Sequence, residues 1–219
     1  MNRDLLASLQ TWVQNGARLM GEVTFQPCPA GFSLTHYLDA QETDPGTLEF
    51  FDDPLQARKI ATWDAQGQFR PMKTSPTLRR GWRLQVRDIE GLRTALEGFY
   101  PAMLGSFLSL TRQELTPVHL RETLGRQTGM YAITKKLTDA QAQEVVGCTC
   151  CWETGCRKTL LWQLTPETPF QSLSPSKFQT DARPPDARIS GDTIPLLCIE
   201  ACNLLVAKAR EEIKRQPAP

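Results

Sequence analysis

"RLMGEVTFQPCPAGFSLTHYLD", Arg18 to Asp39, reads as two strand-like runs, RLMGEVTFQ and GFSLTHYLD, on either side of the turn PCPAG. Upstream, Leu5, Leu6, Leu9, Trp12 and Val13 recur at helical spacing, and Asn15-Gly16 supplies a stop, so residues 4 to about 16 are expected to form a helix. Downstream, GTLEFFDD adds a strand and ATWDAQGQFRPMK reads as a hairpin with Gly67 at its turn. GWRLQVRD, Gly81 to Asp88, is a further strand. Helical patterns follow at DIEGLRTALEGFY and at TPVHLRETLG, with Thr116 as cap and Pro117 in the first turn. Strands and helices without regular alternation predict an α+β fold of antiparallel strands with flanking helices, not a doubly wound sheet. A smaller cysteine-ligated region with a C-terminal helix completes it. The expected domains are 1–130 and 131–219.

The composition excludes several classes. Hydrophobic residues make up 40% and charged ones 22% of 219 residues, as in an ordinary globular protein. With 25 basic and 24 acidic residues the net charge is +1, which gives no electrostatic reason to expect nucleic acid or an anionic membrane as partner. No apolar run approaches the roughly 18 residues of a bilayer span. The start, MNRDLLASLQTWVQ, lacks the apolar centre of a signal peptide. The expected compartment is the cytoplasm.

A reducing compartment decides how the seven cysteines read: clustered thiols there are metal ligands or redox groups before they are disulfides. Six lie between Cys148 and Cys202. Cys28, between two prolines, reads as a small apolar residue. LTDAQAQEVVG, Leu137 to Gly147, is a helix capped by Thr138 or Asp139 and stopped by Gly147, so the run Cys148, Cys150, Cys151, Cys156 is expected to begin in a loop. The stretch TPETPFQSLSPSKFQTDARPPDARISGD reads as a long irregular excursion. GDTIPLLCIEACNLLVAKAREEIKRQPAP reads as one long helix, capped by Asp192 or Thr193 with Pro195 in its first turn. That helix would put Cys198 and Cys202 on one face, continued by Leu205, Ala209 and Ile213.

The pattern C-x-C-C-x4-C, a long gap, then C-x3-C leaves zinc and an iron–sulfur cluster as candidates. His36 and His119 are far from these cysteines in sequence and give a mixed zinc–histidine site little support. A cubane takes one thiolate at each iron corner, and the preferred set is Cys151, Cys156, Cys198 and Cys202, with Cys148 and Cys150 as alternates. Cys198 would lie at the positive end of the last helix. Arg157 and Lys158 could offset the charge of a cluster, a solvated surface being the other reading. Trp152 and Trp162 could shield it, the plainer reading being that both belong to the core.

FRPMKTSPTLRRGWRL (Phe69 to Leu84), FYP (Phe99 to Pro101) and GRQTGMY (Gly125 to Tyr131) resemble the stabilising domain of multidomain proteins with a sirohydrochlorin cobaltochelatase-like, CbiX-type part. GCRKTLLW and CIEACNLLVAKAR resemble the [4Fe–4S]-binding domain that follows it. The resemblance implies that Cys156, Cys198 and Cys202 are ligands and that the fourth comes from the upstream group. Chelatase catalytic residues are not carried over, because 219 residues leave no room for chelatase domains beside this region.

The expected function is an iron–sulfur protein holding a [4Fe–4S] cluster as a redox, electron-transfer or sensing module, accessory to a tetrapyrrole chelatase. A redox partner protein is the other expected partner, and neither nucleic acid nor membrane is expected. Two alternatives stand beside it: an enzyme with an open iron site, and a zinc-stabilised interaction domain. No acid–base pair, nucleophile–base pair or phosphate loop is visible, so no catalytic residue is named. TLRRGWR holds three arginines that could grip an anion, although an exposed edge is the favoured reading.

Overall fold

The computed structural model describes residues 2–14, 16–42, 44–69, 77–115, 118–149, 158–163, 171–173, 193–198 and 200–215. The chain divides into two compact units, residues 1–114 with 189–196, and residues 115–188 with 197–219. The expected domain division at residue 130 lies inside the second of these.

In the first unit, helix α1 (Asn2–Val13) precedes β1 (Arg18–Met20), β2 (Val23–Cys28) and β3 (Gly31–His36). One short helix, α2 (Asp39–Glu42), and a 3-10 turn lead to β4 (Glu49–Phe51) and α3 (Gln56–Ala61). After β5 (Trp82–Val86) come α4 (Ile89–Phe99) and α5 (Met103–Thr111). The run Arg18–Gln26 therefore holds two strands instead of one: Gly21, at φ +60°, turns the chain back between β1 and β2. Of the hairpin expected around Gly67, the described residues show a single bridge, Trp63 to Phe69, over a turn with Gly67 at φ +72°, and its second arm from residue 70 on lies outside them.

The sheet order is β4-β5-β3-β2-β1-β9, where β9 is Thr193–Ile194. Its four central strands are antiparallel, while β4 pairs with β5 and β9 with β1 in parallel. Register places Phe25 opposite Leu34 and Leu34 opposite Leu84, each fully buried, in one apolar row across three strands. On this face Trp82 stacks on Phe99 of α4, with centroids 4.9 Å apart. Its indole nitrogen donates to the carbonyl of Arg79 at 2.7 Å, so the ring is buried without losing its polar partner.

Helix α4 begins at Asp88, whose carboxylate accepts from the Gly91 amide at 2.8 Å. Leu92, Ala95, Leu96 and Phe99 then recur at helical spacing, and all are buried. Each large apolar side chain so buried contributes about 1.5–3 kcal/mol.

In the second unit, β6 (Val118–His119) leads directly into α6 (Leu120–Gly125) and a 3-10 segment (Gly129–Lys136). Helix α7 (Asp139–Thr149), β7 (Lys158–Gln163), β8 (Gln171–Leu173), β10 (Leu196–Cys198) and α8 (Asn203–Arg215) follow. Strand β7 pairs in parallel with β6 and antiparallel with β8, and β10 joins the same sheet. The expected caps Thr116 and Pro117 lie outside the described residues. Among the described residues no helix is long and apolar enough to cross a membrane.

Gly31 opens β3 at φ +123°, and a Cβ there would meet the carbonyl oxygen of Val86 at 2.2 Å. Gly31→Ala is expected to destabilise the protein by on the order of 3 kcal/mol, read as a lower denaturation midpoint in urea by far-UV circular dichroism. An unchanged midpoint would show that this close approach of β3 to β5 is not required.

Candidate metal centre

Helix α7 starts with a reciprocal cap. The Gln141 amide donates to the Thr138 hydroxyl at 3.3 Å, and the Thr138 amide donates to the Gln141 side-chain carbonyl at 2.7 Å. The Ala142 amide donates to the Thr138 carbonyl at 2.9 Å and closes the first turn. Ala142, Val145, Val146 and Thr149 form the buried stripe of this helix. The expected stop at Gly147 is not made: the helix continues through it to Thr149, and Gly147 does not adopt the left-handed conformation that ends helices. Cys148 is therefore on the last turn of α7, exposed, rather than in a loop.

The long C-terminal helix is also shorter than its sequence suggests. Residues 193–198 are extended, and α8 begins only at Asn203. Ile194, Leu196, Leu197 and Cys198 are all buried. A one-sided helix would expose part of such a run, whereas a strand covered on both faces buries all of it. Pro195, without an amide hydrogen, separates the two short strands. Cys198 and Cys202 thus do not share a helix face.

They nonetheless meet the same core. Cys198, 8% exposed, belongs to an apolar cluster with Leu120 and Leu124 of α6, Val145 and Val146 of α7, and Leu205 and Ala209 of α8. Cys202 is half-buried and packs against that cluster. The Cys198 thiol lies 3.5 Å from the Glu200 carbonyl, a long S–H···O contact. The Cys202 carbonyl accepts from the Val206 amide at 3.0 Å, which makes Cys202 the N-terminal cap of α8. The favourable end of the helix macrodipole therefore serves Cys202, where the sequence suggested Cys198.

Val145 and Val146 stand in the last turns of α7, so the core that holds Cys198 also anchors the helix from which the upstream cysteine run departs. Cys150, Cys151, Cys156, Trp152 and Arg157 lie outside the described residues. Lys158 is the first residue of β7, and Trp162 stands on the same strand. Among the described residues no three His, Cys, Asp or Glu side chains come together as a metal site. The donors that are placed fit a soft metal cluster: a buried thiol, a second at a helix cap, both against apolar side chains.

Charges around this core are exposed. Glu200 accepts from the Gln127 amide at 3.3 Å and lies 3.7 Å from Arg126. On α8, the Lys208 ammonium donates to Glu211 at 2.7 Å, and this hydrogen bond with the lysine charge holds the Glu211 carboxyl below its ordinary range. His36 is buried in the first unit, its Nδ1 accepting from the Leu38 amide at 3.3 Å. His119 was missed by residue pattern as a neighbour of the cysteine-bearing core. It directly precedes Leu120 of that core, and its Nε2 is buried without a hydrogen-bond partner among the described residues.

The chain is a mixed α+β unit followed by a second unit whose core carries cysteines. Residues 6–109 match the family model of the DR2241 stabilising domain, and residues 112–211 match that of a 4Fe-4S iron-sulfur cluster binding domain. The two matches are to the two kinds of domain that the motifs resemble, the second described as binding a 4Fe-4S cluster, and GRQTGMY falls within the second match instead of the first. Among solved structures it is similar to DR2241 from Deinococcus radiodurans, described as a multi-domain protein with structural similarity to chelatases and two additional novel domains. The match has 29% identity and a TM-score of 0.73 over 98% of this chain. This chain spans 42% of that protein's length. No match is found among curated proteins.

Thr138→Ala removes one half of the α7 cap and is expected to cost about 1 kcal/mol. Amide hydrogen exchange of residues 139–149 should accelerate severalfold while that of α4 does not change. Equal protection in variant and parent would mean that the cap does not hold α7.

Proposed function

We propose that the chain is a non-catalytic iron–sulfur module that holds its [4Fe–4S] cluster for electron transfer or sensing, accessory to a tetrapyrrole metal chelatase. Cys198 and Cys202 are two ligands, Cys156 a third, and Cys151 the fourth, with Cys148 and Cys150 as alternates. The observation that carries this reading is the shared core: one apolar cluster holds Cys198, packs Cys202, and anchors the end of α7 from which the remaining cysteines follow.

A bound cluster supplies one-electron chemistry. The chain's own contribution is the environment. Leu120, Leu124, Val145 and Leu205 exclude water from the Cys198 side, and Cys202 stands at the amide end of α8. Association with a chelatase is supported by the likeness to DR2241, described as a multi-domain protein with structural similarity to chelatases. The mean charge of the chain favours neither nucleic acid nor membrane as partner.

Protein purified without oxygen should be brown and carry about four irons and four acid-labile sulfides per chain, with little zinc. Cys198→Ser and Cys202→Ser should each lose most of the visible absorbance, while Cys28→Ser, in the other unit, should keep it. Far-UV circular dichroism separates loss of the cluster from loss of the fold. A colourless protein with one zinc would overturn the redox reading in favour of a structural metal. For the chelatase link, the cluster-loaded chain should co-elute with a chelatase-like partner on gel filtration. Separate elution at concentrations of tens of micromolar would sink the accessory role and leave the cluster assignment standing.

A further inference from the structure

The three arginines of TLRRGWR have different fates. Arg79 forms an ion pair with Glu49 at 2.6 Å, and Arg80 forms one with the buried Asp39 at 2.7 Å. Asp39 also accepts from the Gly81 amide at 2.7 Å, so both of its carboxylate oxygens are engaged. Arg83, on β5, has no carboxylate partner among the described residues. Its guanidinium lies over the Phe50 ring, 5.2 Å from the centroid.

Arg83 stands on the sheet face opposite the apolar row. Register puts Thr24 opposite Thr35 and Thr35 opposite Arg83, and one step along it puts Gln26 opposite Ser33 and Ser33 opposite Gln85. Two rows of polar side chains, about 4.8 Å apart from strand to strand, thus floor one concavity. Asp39 and Ala40 at the start of α2, Leu48, and the turn from Cys28 to Ala30 wall it. Its volume is about 430 Å³, within the range of small-molecule sites. A merely solvated sheet face needs polar residues but no walls.

We propose that this groove binds a small hydroxylated carboxylate, its carboxylate paired with Arg83 and its hydroxyls with the Ser, Thr and Gln floor. The charge count selects one carboxylate. Arg83 is the one unneutralised cation among the lining residues, and a second anionic group would enter without a partner. The guanidinium fork matches a planar carboxylate. Hydroxyl and amide side chains both donate and accept, as a polyol requires. This site lies wholly within the first unit and is independent of the cluster.

Calorimetric titration of the full, cluster-loaded chain with sodium gluconate tests the proposal, with acetate and inorganic phosphate as parallel arms. Gluconate should bind saturably, acetate and phosphate much more weakly. Arg83→Gln should weaken gluconate binding about tenfold or more, because a charge-assisted pair is lost. Arg83→Lys should be intermediate, since it keeps the charge and loses the fork. Thr35→Val, close in shape and suited to a strand, should weaken binding severalfold while leaving the thermal midpoint and visible spectrum unchanged. Absence of saturable heat with gluconate would overturn the proposal. So would equal affinity in Arg83→Gln and parent, or phosphate or acetate binding as tightly as gluconate.

Discussion

Two residues near the end of the chain constrain everything that follows them. Thr193 and Ile194 pair in parallel with Leu19 and Met20, so a segment far from the N-terminus becomes the edge strand of the first sheet. Past Pro195, Leu196–Cys198 form a strand of the other sheet, and the last helix begins only at Asn203. Cys198 arrives in the second unit from a strand, and Cys202 arrives as a helix cap. Had the helix begun at Thr193, both thiols would share one stripe and one electrostatic environment.

The consequence is an asymmetric pair of donors. Cys198 is surrounded by apolar side chains, which disfavours an uncompensated thiolate and favours one bound to metal. Cys202 is half-buried and stands at the amide end of α8. One buried member of the second unit's core, Cys198, is a proposed ligand.

Legibility in the sequence followed the strength of local signals. Helices α1 and α4 and strands β3, β4 and β5 were readable because each combines apolar periodicity with a turn or cap, as Asp88 shows for α4. Helix α5 gave no cap signal; its N-cap is Ala102, in the left-handed conformation at φ 64°, with its amide donating to Glu97 at 2.7 Å. Gly147 looked like a helix stop, but α7 runs through it with Val145, Val146 and Thr149 packed inward, and packing outweighs the roughly 1 kcal/mol that a helical glycine costs. The hairpin of β1 and β2 was hidden because Gly21 sits inside a continuous strand-like run.

By itself the sequence determined the α+β class, the helical face formed by Leu205, Ala209 and Ile213, and the thiol-rich chemistry of the second domain. Those depend on composition and on periodicity over a few residues. Only the tertiary structure decided that residues 193–194 and 196–198 are strand, that Cys202 instead of Cys198 caps the last helix, and that Arg83 alone of its arginine cluster has no carboxylate partner among the described residues. Each of these rests on partners distant in sequence: Leu19 and Met20 for β9, Glu49 for Arg79, and Asp39 for Arg80. Local propensity carries no information about a hydrogen bond or ion pair whose other half is tens of residues away.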